Sequence, residues 1–297
     1  MPAAAAPLEY TLTPEQVADG IWLVRGADED IRLSNGGAIA NITVIATDAG
    51  AVLVDAGPSL RFGRQLATLA EALAGKPVAR VYLTHLHPDH SYGDAAFAPA
   101  QIAATPTLIA DLQAQGPGFA DGMYRLLGDW MRGTELRLPG HVIATETETV
   151  GGRTIRMLPL AGHSNADLAV LDTRTGTLVA GDLVFHDRAP STPHADLPRW
   201  RTSLDALKAV PHARVVPGHG PLDPTPDAAI DQTRNWIDWV EQALGSAAAG
   251  GLDMVEAGAM PIPPQFAGLK EARYELQRSV AHLYPGFEAR LPRVDAK

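Results

Sequence analysis

The sequence contains no cysteine, and this absence excludes several kinds of site at once. A disulfide framework, a zinc site ligated by thiolates and a thiol nucleophile all require that residue. Histidine and the carboxylates are therefore the candidate ligands for a transition metal, and ten histidines are available.

Positive charge and long apolar runs are also scarce. The chain has 24 lysine and arginine residues against 34 aspartate and glutamate residues, which gives a net charge of -10. Because the basic residues are scattered rather than gathered into a stripe, we expect no nucleic-acid partner. Polar residues and glycine interrupt apolar stretches such as 38–54, so no run reaches the roughly 20 residues of a membrane span.

The 297 residues, of which 46% are hydrophobic, suffice for one large domain or two fused halves. The opening MPAAAAPLEYTLTPEQ has neither the basic nor the apolar region of a signal peptide, yet its Ala/Pro-rich start is similar to what remains after signal cleavage. A plain flexible terminus explains it equally well. We expect a periplasmic location, with the cytoplasm as the alternative, and the sequence does not indicate the oligomeric state.

Hydrophobic periodicity predicts alternating strands and helices. The first half reads as an antiparallel meander followed by a βαβ unit, and the second half repeats the order of strands, then helix and strand. A segment that is helical in parts, interrupted at Gly116-Pro117-Gly118, lies between the halves. The predicted elements are a meander over 20–54, a helix over 61–74, a strand over 78–83, the partly helical segment 105–129, strands over 142–149, 154–160, 168–172 and 177–180, a helix over 199–209 and a strand over 214–216. We expect an N-terminal segment (1–19), an α/β domain (20–224) and a C-terminal helical extension (225–297) packed on it.

The densest cluster of metal-competent side chains directly follows the apolar strand 78–83, in the run Thr-His-Leu-His-Pro-Asp-His at 84–90. His85 and His87 are two positions apart on an extended backbone, so they point the same way and can bind one ion. Asp89 and His90 lie beyond the turn at Pro88 and can face a second ion. The alternative is a solvated polar loop, but three histidines and an aspartate at this spacing have no packing purpose.

Three further candidates each follow an apolar run and lie beside a glycine: His163, Asp182 and His219. Any one of them alone is weak, because a lone histidine is more often an ordinary surface or core residue. Together with the first cluster they make seven ligands, which fit two adjacent divalent ions with one carboxylate between them.

These motifs, together with Asp55, resemble the metallo-β-lactamase superfamily over roughly residues 20–221. The resemblance implies an α/β (α+β) four-layer αββα sandwich with two zinc ions at one edge between the sheets; iron and manganese are alternative metals. It implies that Asp182 bridges the metals and that Asp55 orients the ligand loop. The implied terminal ligands are His85, His87 and His163 for the first ion, and Asp89, His90 and His219 for the second.

A narrower resemblance covers the stretches 55–59, 93–97, 187–196 and 278–285. They look like the quinoprotein relay system zinc metallohydrolases, a subgroup associated with periplasmic quinoprotein dehydrogenases. This resemblance implies a quinoprotein dehydrogenase system as a partner.

A water shared by two zinc ions has a pKa near 7, so hydroxide is available at neutral pH. The resemblance therefore implies metal-bridging hydroxide that hydrolyses an ester, thioester, lactone or related carbonyl compound, a small-molecule substrate, with Asp89 as the catalytic proton shuttle. A zinc β-lactamase is one alternative. It is disfavoured because Phe185 stands three positions past Asp182, where many lactamases have a lysine, and because Asp182 replaces their cysteine or serine. An iron persulfide dioxygenase is a second alternative, and a non-catalytic, metal-loaded accessory protein of a periplasmic quinoprotein system is a third.

Two further features have two interpretations each. His186, Arg188 and His194, on the loop 183–198, are candidates for binding an anionic substrate group, and the alternative is a solvated loop with a local ion pair between Asp187 and Arg188. An apolar stripe at helical spacing forms either a lid over the metals or ordinary core. Its members are Phe119, Met123, Tyr124, Leu127, Trp130 and Met131.

Overall fold

The computed structural model describes residues 8–291 and contains two β-sheets. The seven strands of the first sheet lie side by side in chain order. They are β1 (Pro14–Ala18), β2 (Ile21–Val24), β3 (Ile42–Thr47), β4 (Gly50–Val54), β5 (Val78–Tyr82), β6 (Ile102–Ala104) and β7 (His141–Val142). The second sheet has the order β12-β11-β10-β9-β8. Its strands are β8 (Thr147–Val150), β9 (Arg153–Leu160), β10 (Asp167–Asp172), β11 (Thr177–Phe185) and β12 (Arg214–His219).

The chain forms seven α-helices within residues 8–291. They are α1 (Leu60–Ala74), α2 (Pro88–Ser91), α3 (Pro106–Leu127), α4 (Leu197–Ala209), α5 (Ala228–Ala249), α6 (Met254–Ala259) and α7 (Ala272–Glu288). Three of them, α1, α4 and α5, cover the outer faces of the sheets. Helix α1 contacts β3, β4 and β5 of the first sheet, whereas α4 and α5 contact β11 of the second. The order of layers is therefore helix, sheet, sheet, helix, and the predicted αββα fold class is confirmed.

Each interface between layers has its own apolar core. One cluster, with Ile45, Val52, Leu168 and Val179, fills the space between the sheets, and separate clusters lie under α1 and under α4 and α5. Strand β4, with the sequence GAVLV, is buried along its whole length because both faces of its sheet are covered. This accounts for a continuous apolar run where a half-exposed strand would alternate.

The βαβ unit formed by β4, α1 and β5 is as predicted, with β4 and β5 parallel. Two other expectations were wrong. The predicted strand 142–149 is two strands in different sheets, β7 and β8, because the chain crosses between the sheets there. The predicted interruption at Gly116-Pro117-Gly118 does not occur, since α3 continues through Pro117. Gly116 packs closely on the side chain of Leu136, which would have to move to accommodate a β-carbon there.

Both ends of the described chain contribute to the layers. Strand β1, within the predicted N-terminal segment 1–19, pairs with β2, while residues 1–7 with their Ala/Pro-rich start lie outside the described residues. At the other end, α5 and α7 of the predicted extension share the core of β11 and α4; residues 292–297 are also outside the described range. No helix within residues 8–291 is both long and apolar enough to cross a membrane.

Candidate metal centre

The motif at 84–90 begins directly after β5, and Asp55, which directly follows the neighbouring strand β4, holds its first residue in place. The backbone amide of Thr84 donates to Asp55 Oδ1 and its hydroxyl donates to Asp55 Oδ2, both at 2.8 Å. Asp55 has a φ of 65°, a left-handed conformation that is unusual for a non-glycine residue. The hydrogen bonds offset this strain and fix the start of the ligand loop.

One set of ligand atoms consists of three imidazole nitrogens and a carboxylate oxygen. His87 Nδ1 lies 3.0 Å from His85 Nε2 and 2.9 Å from His163 Nε2. Asp182 Oδ2 lies 3.3 Å from His163 Nε2 and 3.8 Å from His85 Nε2. The four residues come from the loop after β5, the loop after β9 and strand β11, and they converge on one point.

A second set lies on the other side of the Asp182 carboxylate. It consists of Asp89 and His90 from α2 and His219 from the end of β12. Asp89 Oδ2 is 3.6 Å from His90 Nε2 and 3.4 Å from His219 Nε2, and the two imidazole nitrogens are 3.5 Å apart. Asp182 Oδ1 is 3.1 Å from His90 Nε2, so this carboxylate lies between the two sets.

The outward-facing nitrogen of each of these five imidazoles has a partner, and the partner fixes the tautomer. Because the Thr84 hydroxyl already donates to Asp55, it accepts from His85 Nδ1. The remaining outer contacts are His87 Nε2 to His194 Nδ1 at 2.9 Å, His90 Nδ1 to Asp55 Oδ2 at 2.6 Å, His163 Nδ1 to the Ser191 carbonyl at 3.2 Å and His219 Nδ1 to the Ile39 carbonyl at 2.9 Å. With their protons on the outer nitrogens, all five rings present lone pairs to the centre.

Lone pairs and carboxylates that face each other at about 3 Å need a cation between them. Asp182 Oδ1 is buried and accepts no hydrogen bond from the part of the chain that the structure describes, although His90 Nε2 is near, because the proton of that ring is on Nδ1. A transition metal bound by histidine and carboxylate satisfies both groups. The donor set of this centre therefore fits metal ions.

Burial and charge favour the metal-binding form of His85, His87, His163 and Asp182, whereas the carboxylates around His90 favour its protonated ring. Burial lowers the pKa values of His85, His87 and His163 well below the usual histidine value and so favours the neutral, metal-binding ring. Burial alone would raise the pKa of Asp182, but the surrounding histidines lower it well below the usual value. For His90, burial favours the neutral ring, whereas Asp182, Asp89 and Asp55 together raise its pKa.

Glycine allows the close approach of the carboxylate to β12. A β-carbon at Gly218 would lie 2.0 Å from Asp182 Oδ1, so any larger residue would displace the ligand. Gly218, one of the glycines beside the candidate ligands, therefore has a steric role.

The centre opens into a cavity of about 390 Å³. Four of the ligand side chains line it, namely His87, Asp89, Asp182 and His219. The apolar side chains of Phe119, Met123, Leu126, Ile31 and Ile39 form much of the remaining wall. Most of the predicted apolar stripe is core, since Met123, Leu127, Trp130 and Met131 belong to the buried cluster under α1, while Phe119 and Met123 line the cavity.

The structure separates the three candidates for anion binding. Arg188 and His194 line the cavity, whereas His186 is not among the residues that line it within 8–291, and its Nδ1 instead lies 3.0 Å from the Pro221 carbonyl. The alternative ion pair between Asp187 and Arg188 is also wrong, because Arg188 is buried against Glu275 of α7.

Sequence reasoning missed the contribution of α7 to this cavity. Tyr274, Glu275 and Arg278 project into it from a helix that lies far along the chain from the ligands. Arg278 belongs to a stretch that resembles the quinoprotein subgroup, but nothing in its local sequence indicates that the helix crosses the mouth of the site.

A comparison with families of known proteins shows the family of this chain. The model of the metallo-β-lactamase superfamily matches residues 35–219, which include Asp55 and all seven candidate ligands. The chain belongs to the metallo-β-lactamase superfamily. As a member of this superfamily it is a hydrolase with a candidate metal site, and the non-catalytic alternative is set aside.

Curated relatives of this superfamily member differ in activity. A metallo-β-lactamase type 2 from Bacillus sp. (strain 170) is 27% identical over 71% of this chain and 77% of its own length. An atrochrysone carboxyl ACP thioesterase from Paecilomyces divaricatus is 25% identical over 62% of this chain, and a linear primary-alkylsulfatase from a Pseudomonas species is 23% identical over 82%. The matches span only 51% and 55% of those two relatives.

Solved structures agree on the fold. A metallo-β-lactamase from Pontibacter korlensis superposes with a TM-score of 0.62 at 21% identity, over 77% of this chain and 99% of its own. At this identity the likeness describes the architecture and leaves the substrate open.

Proposed function

We propose that the protein is a dinuclear zinc hydrolase that cleaves an ester, a thioester, a lactone or a related carbonyl compound. The observation that carries the proposal is the Asp182 carboxylate, which lies between two sets of inward-facing imidazole nitrogens at 3.1–3.3 Å. Three histidines on one side and an aspartate with two histidines on the other supply a ligand set for each of two adjacent ions.

In this proposal Asp182 contacts both ions and six residues each contact one. The terminal ligands are His85, His87 and His163 for the first ion, and Asp89, His90 and His219 for the second. Two zinc ions that share a water supply hydroxide near neutral pH and polarise a carbonyl oxygen. The absence of cysteine from the chain favours zinc over softer metals, and iron or manganese are the alternatives.

Asp89 is the residue proposed to move the proton. Its carboxylate lines the cavity, so a substrate in the cavity reaches it without a conformational change. In the proposal, the same side chain would accept a hydrogen bond from the attacking water, which orients it, and would relay the proton of that water to the leaving group.

The position of Phe185 supports a carbonyl substrate other than a β-lactam. Its ring is fully buried and stacks on His219, with centroids 5.3 Å apart and planes 11° from parallel. At the position where many lactamases have a lysine for the β-lactam carboxylate, this chain therefore has an apolar ring that packs on the candidate metal ligand His219. β-Lactam hydrolysis is the second candidate, since one curated relative is named a metallo-β-lactamase. A quinoprotein partner and a periplasmic location remain predictions.

The test combines metal analysis with a panel of thioester, lactone, β-lactam and phosphodiester substrates. We expect close to two zinc ions per chain and turnover of a thioester or a lactone. Asp89→Asn should lower turnover on the best substrate at least about 10²-fold, because it removes a general acid/base group, while the melting temperature of the metal-free protein changes little.

Asp129→Asn is the matched control, because Asp129 is exposed and lies outside the cavity lining. A single ion per chain, iron alone, or equal turnover in Asp89→Asn and the parent would contradict the proposal.

A further inference from the structure

We propose that the substrate carries a carboxylate remote from its scissile carbonyl and that Arg278 of α7 binds this carboxylate. The apolar part of the substrate between the two groups lies against α3. The inference rests on the proposed hydrolytic function and specifies the class of substrate that the same cavity accepts.

Arg278 has free hydrogen-bonding capacity in the cavity. Its hydrogen bonds to the described chain all use Nη1, which donates to Ser191 Oγ at 2.9 Å and lies 3.4 Å from the Glu275 carboxylate. Its Nε and Nη2 have no partner within residues 8–291, and 38% of the side chain is exposed. The guanidinium lies over the Tyr274 ring, 5.5 Å from its centroid, which orients the plane of its donors.

The charges around Arg278 leave one positive charge in excess. Apart from the metal ligands, the charged side chains that line the cavity are Arg188, Arg278, Glu275 and Asp30. Glu275 is fully buried between the two arginines, at 3.4 and 3.5 Å, and Asp30 is paired with Arg32 on the surface. The cluster of Arg188, Glu275 and Arg278 therefore has a net charge of +1.

Arg188 adds positive charge to this part of the cavity wall. Its side chain is 97% buried and lies 3.5 Å from Glu275, so it contributes charge, whereas Arg278 contributes the accessible donors. Arg188 and Arg278 therefore form the cationic end of the cavity.

The wall between the cationic end and the metal centre is apolar. Phe119, Met123 and Leu126 occupy successive turns of α3 on the side that lines the cavity. The Phe119 ring meets the ligand His87 edge-on, with centroids 5.9 Å apart, so the wall begins at the metal centre. A substrate held by its carbonyl at one end and its anionic group at the other has its hydrocarbon part against this wall.

The net charge favours a carboxylate over a phosphate monoester. A planar guanidinium binds a carboxylate with two parallel hydrogen bonds, and a single excess positive charge matches a monoanion. A phosphate monoester carries a charge of about −1.5 to −2 at neutral pH, which would exceed the charge available here.

The first test compares esters that differ in one carboxylate. One pair is the 4-nitrophenyl monoester of adipic acid and 4-nitrophenyl hexanoate, which place the carboxylate on the acyl chain or omit it. The other pair is the hexanoyl ester of 4-hydroxybenzoate and that of 4-hydroxyacetophenone, which place it on the leaving group or omit it. In the zinc-loaded enzyme, we expect that in at least one of the two pairs the kcat/KM of the carboxylate ester is about tenfold or more above that of its neutral partner.

Arg278→Met should abolish this preference by raising the KM of the carboxylate ester far more than that of its neutral partner, and should remove the salt dependence of that KM. Arg278→Lys should restore part of it because the charge is kept. Arg290→Met is the matched control: Arg290 follows α7, lies over Phe287 and is outside the cavity lining. An equal loss for neutral and anionic esters in Arg278→Met would indicate a structural role and overturn the inference.

Calorimetry of adipate and hexanoate binding to the zinc-loaded protein tests the subsite without turnover. We expect adipate to bind about tenfold tighter in the parent, and equally to hexanoate in Arg278→Met. No difference between the two acids in the parent, or a difference that persists in Arg278→Met, overturns the inference. If none of the esters is hydrolysed while the adipate preference depends on Arg278, the proposed ester hydrolysis fails and the subsite stands.

Discussion

Among individual residues, His194 has a distinct position because it is the outer partner of a candidate ligand. Burial, followed by the charges of His282 and Arg278, lowers the pKa of His194. A neutral His194 accepts a hydrogen bond at Nδ1 from the Nε2–H group of His87. With its proton on Nε2, His87 has a lone pair on Nδ1 that can bind a metal. His194 is therefore a positioning residue for the first ligand set.

For His194→Ala, we expect a 10–100-fold lower zinc affinity at the set that contains His87, the usual effect of removing such a partner. Competition with a chromophoric chelator measures it. His186→Ala, a histidine of the same loop that points to the Pro221 carbonyl, is the matched control and should leave zinc affinity unchanged. Equal zinc affinity in His194→Ala and the parent would show that the contact does not support the ligand.

The sequence predicted the grouping of the ligands but not the roles of their partners. His85, His87, Asp89 and His90 are close along the chain, and their chemistry suits one purpose, so local spacing was sufficient. His186 and His194 lie on the same loop with the same chemistry, and only the path of the loop separates them. Arg278 joins the cavity through the packing of α7, for which no local pattern exists.

At the level of elements, Arg153 connects the two sheets and is paired with Asp172 within the second sheet. Arg153 on β9 donates through Nε to Asp172 on β10 at 2.6 Å, and its Nη groups donate to the carbonyls of Asp19 and Ala46 in the first sheet. Both charged side chains are at least 96% buried. Removal of one partner leaves the other buried without compensation.

We expect Arg153→Met to lower the free energy of unfolding by about 3–5 kcal/mol. Urea denaturation measures the change. Arg174→Met, which breaks an exposed pair with Asp19, is the control and should cost less than about 1 kcal/mol. A loss in Arg153→Met as small as that of the control would show that the buried pair does not hold the sheets together.

The same pair gives stability a definite dependence on pH. Although burial opposes ionisation of Asp172, hydrogen bonds from Arg153 and Thr175 lower its pKa in the folded state. A carboxyl whose pKa is lower when folded stabilises the protein above its unfolded pKa of about 3.9, and this contribution is lost as the pH falls through the folded value. We therefore expect the free energy of unfolding to fall less on acidification in Arg153→Met than in the parent, which urea denaturation at several pH values measures.

The elements were predicted where the pattern is local. The helix α1 and the strands around it follow from periodicity and turn residues, whereas the switch between β7 and β8 does not. Residues 142–149 look like one short strand because the change of sheet depends on what packs on either side. The helix through Pro117 has the same explanation, since its contacts with the rest of the fold outweigh the local preference of proline.

At the scale of the whole molecule, the candidate ligands come from both sheets. The motif after β5 supplies four of them from the first sheet, and the second sheet supplies His163, Asp182 and His219. Asn41, at the start of β3, also spans the gap, with its side chain donating to the carbonyls of Pro217 and Gly220. Ions held by such a set link the sheets directly.

The proposed ions would link two layers, so their binding should contribute to global stability. Each zinc site present at 100 times its dissociation constant adds about 2.7 kcal/mol to the free energy of unfolding, provided that the unfolded chain does not bind zinc. Thermal melts with zinc and with a chelator should therefore differ clearly at neutral pH. The difference should shrink as the pH falls, because protons compete with zinc for the histidine nitrogens. Asp182→Ala should show a smaller zinc-dependent shift than the parent, since the shared carboxylate is lost. Identical melting temperatures with zinc and chelator at neutral pH would show that the ions do not stabilise the contact between the sheets.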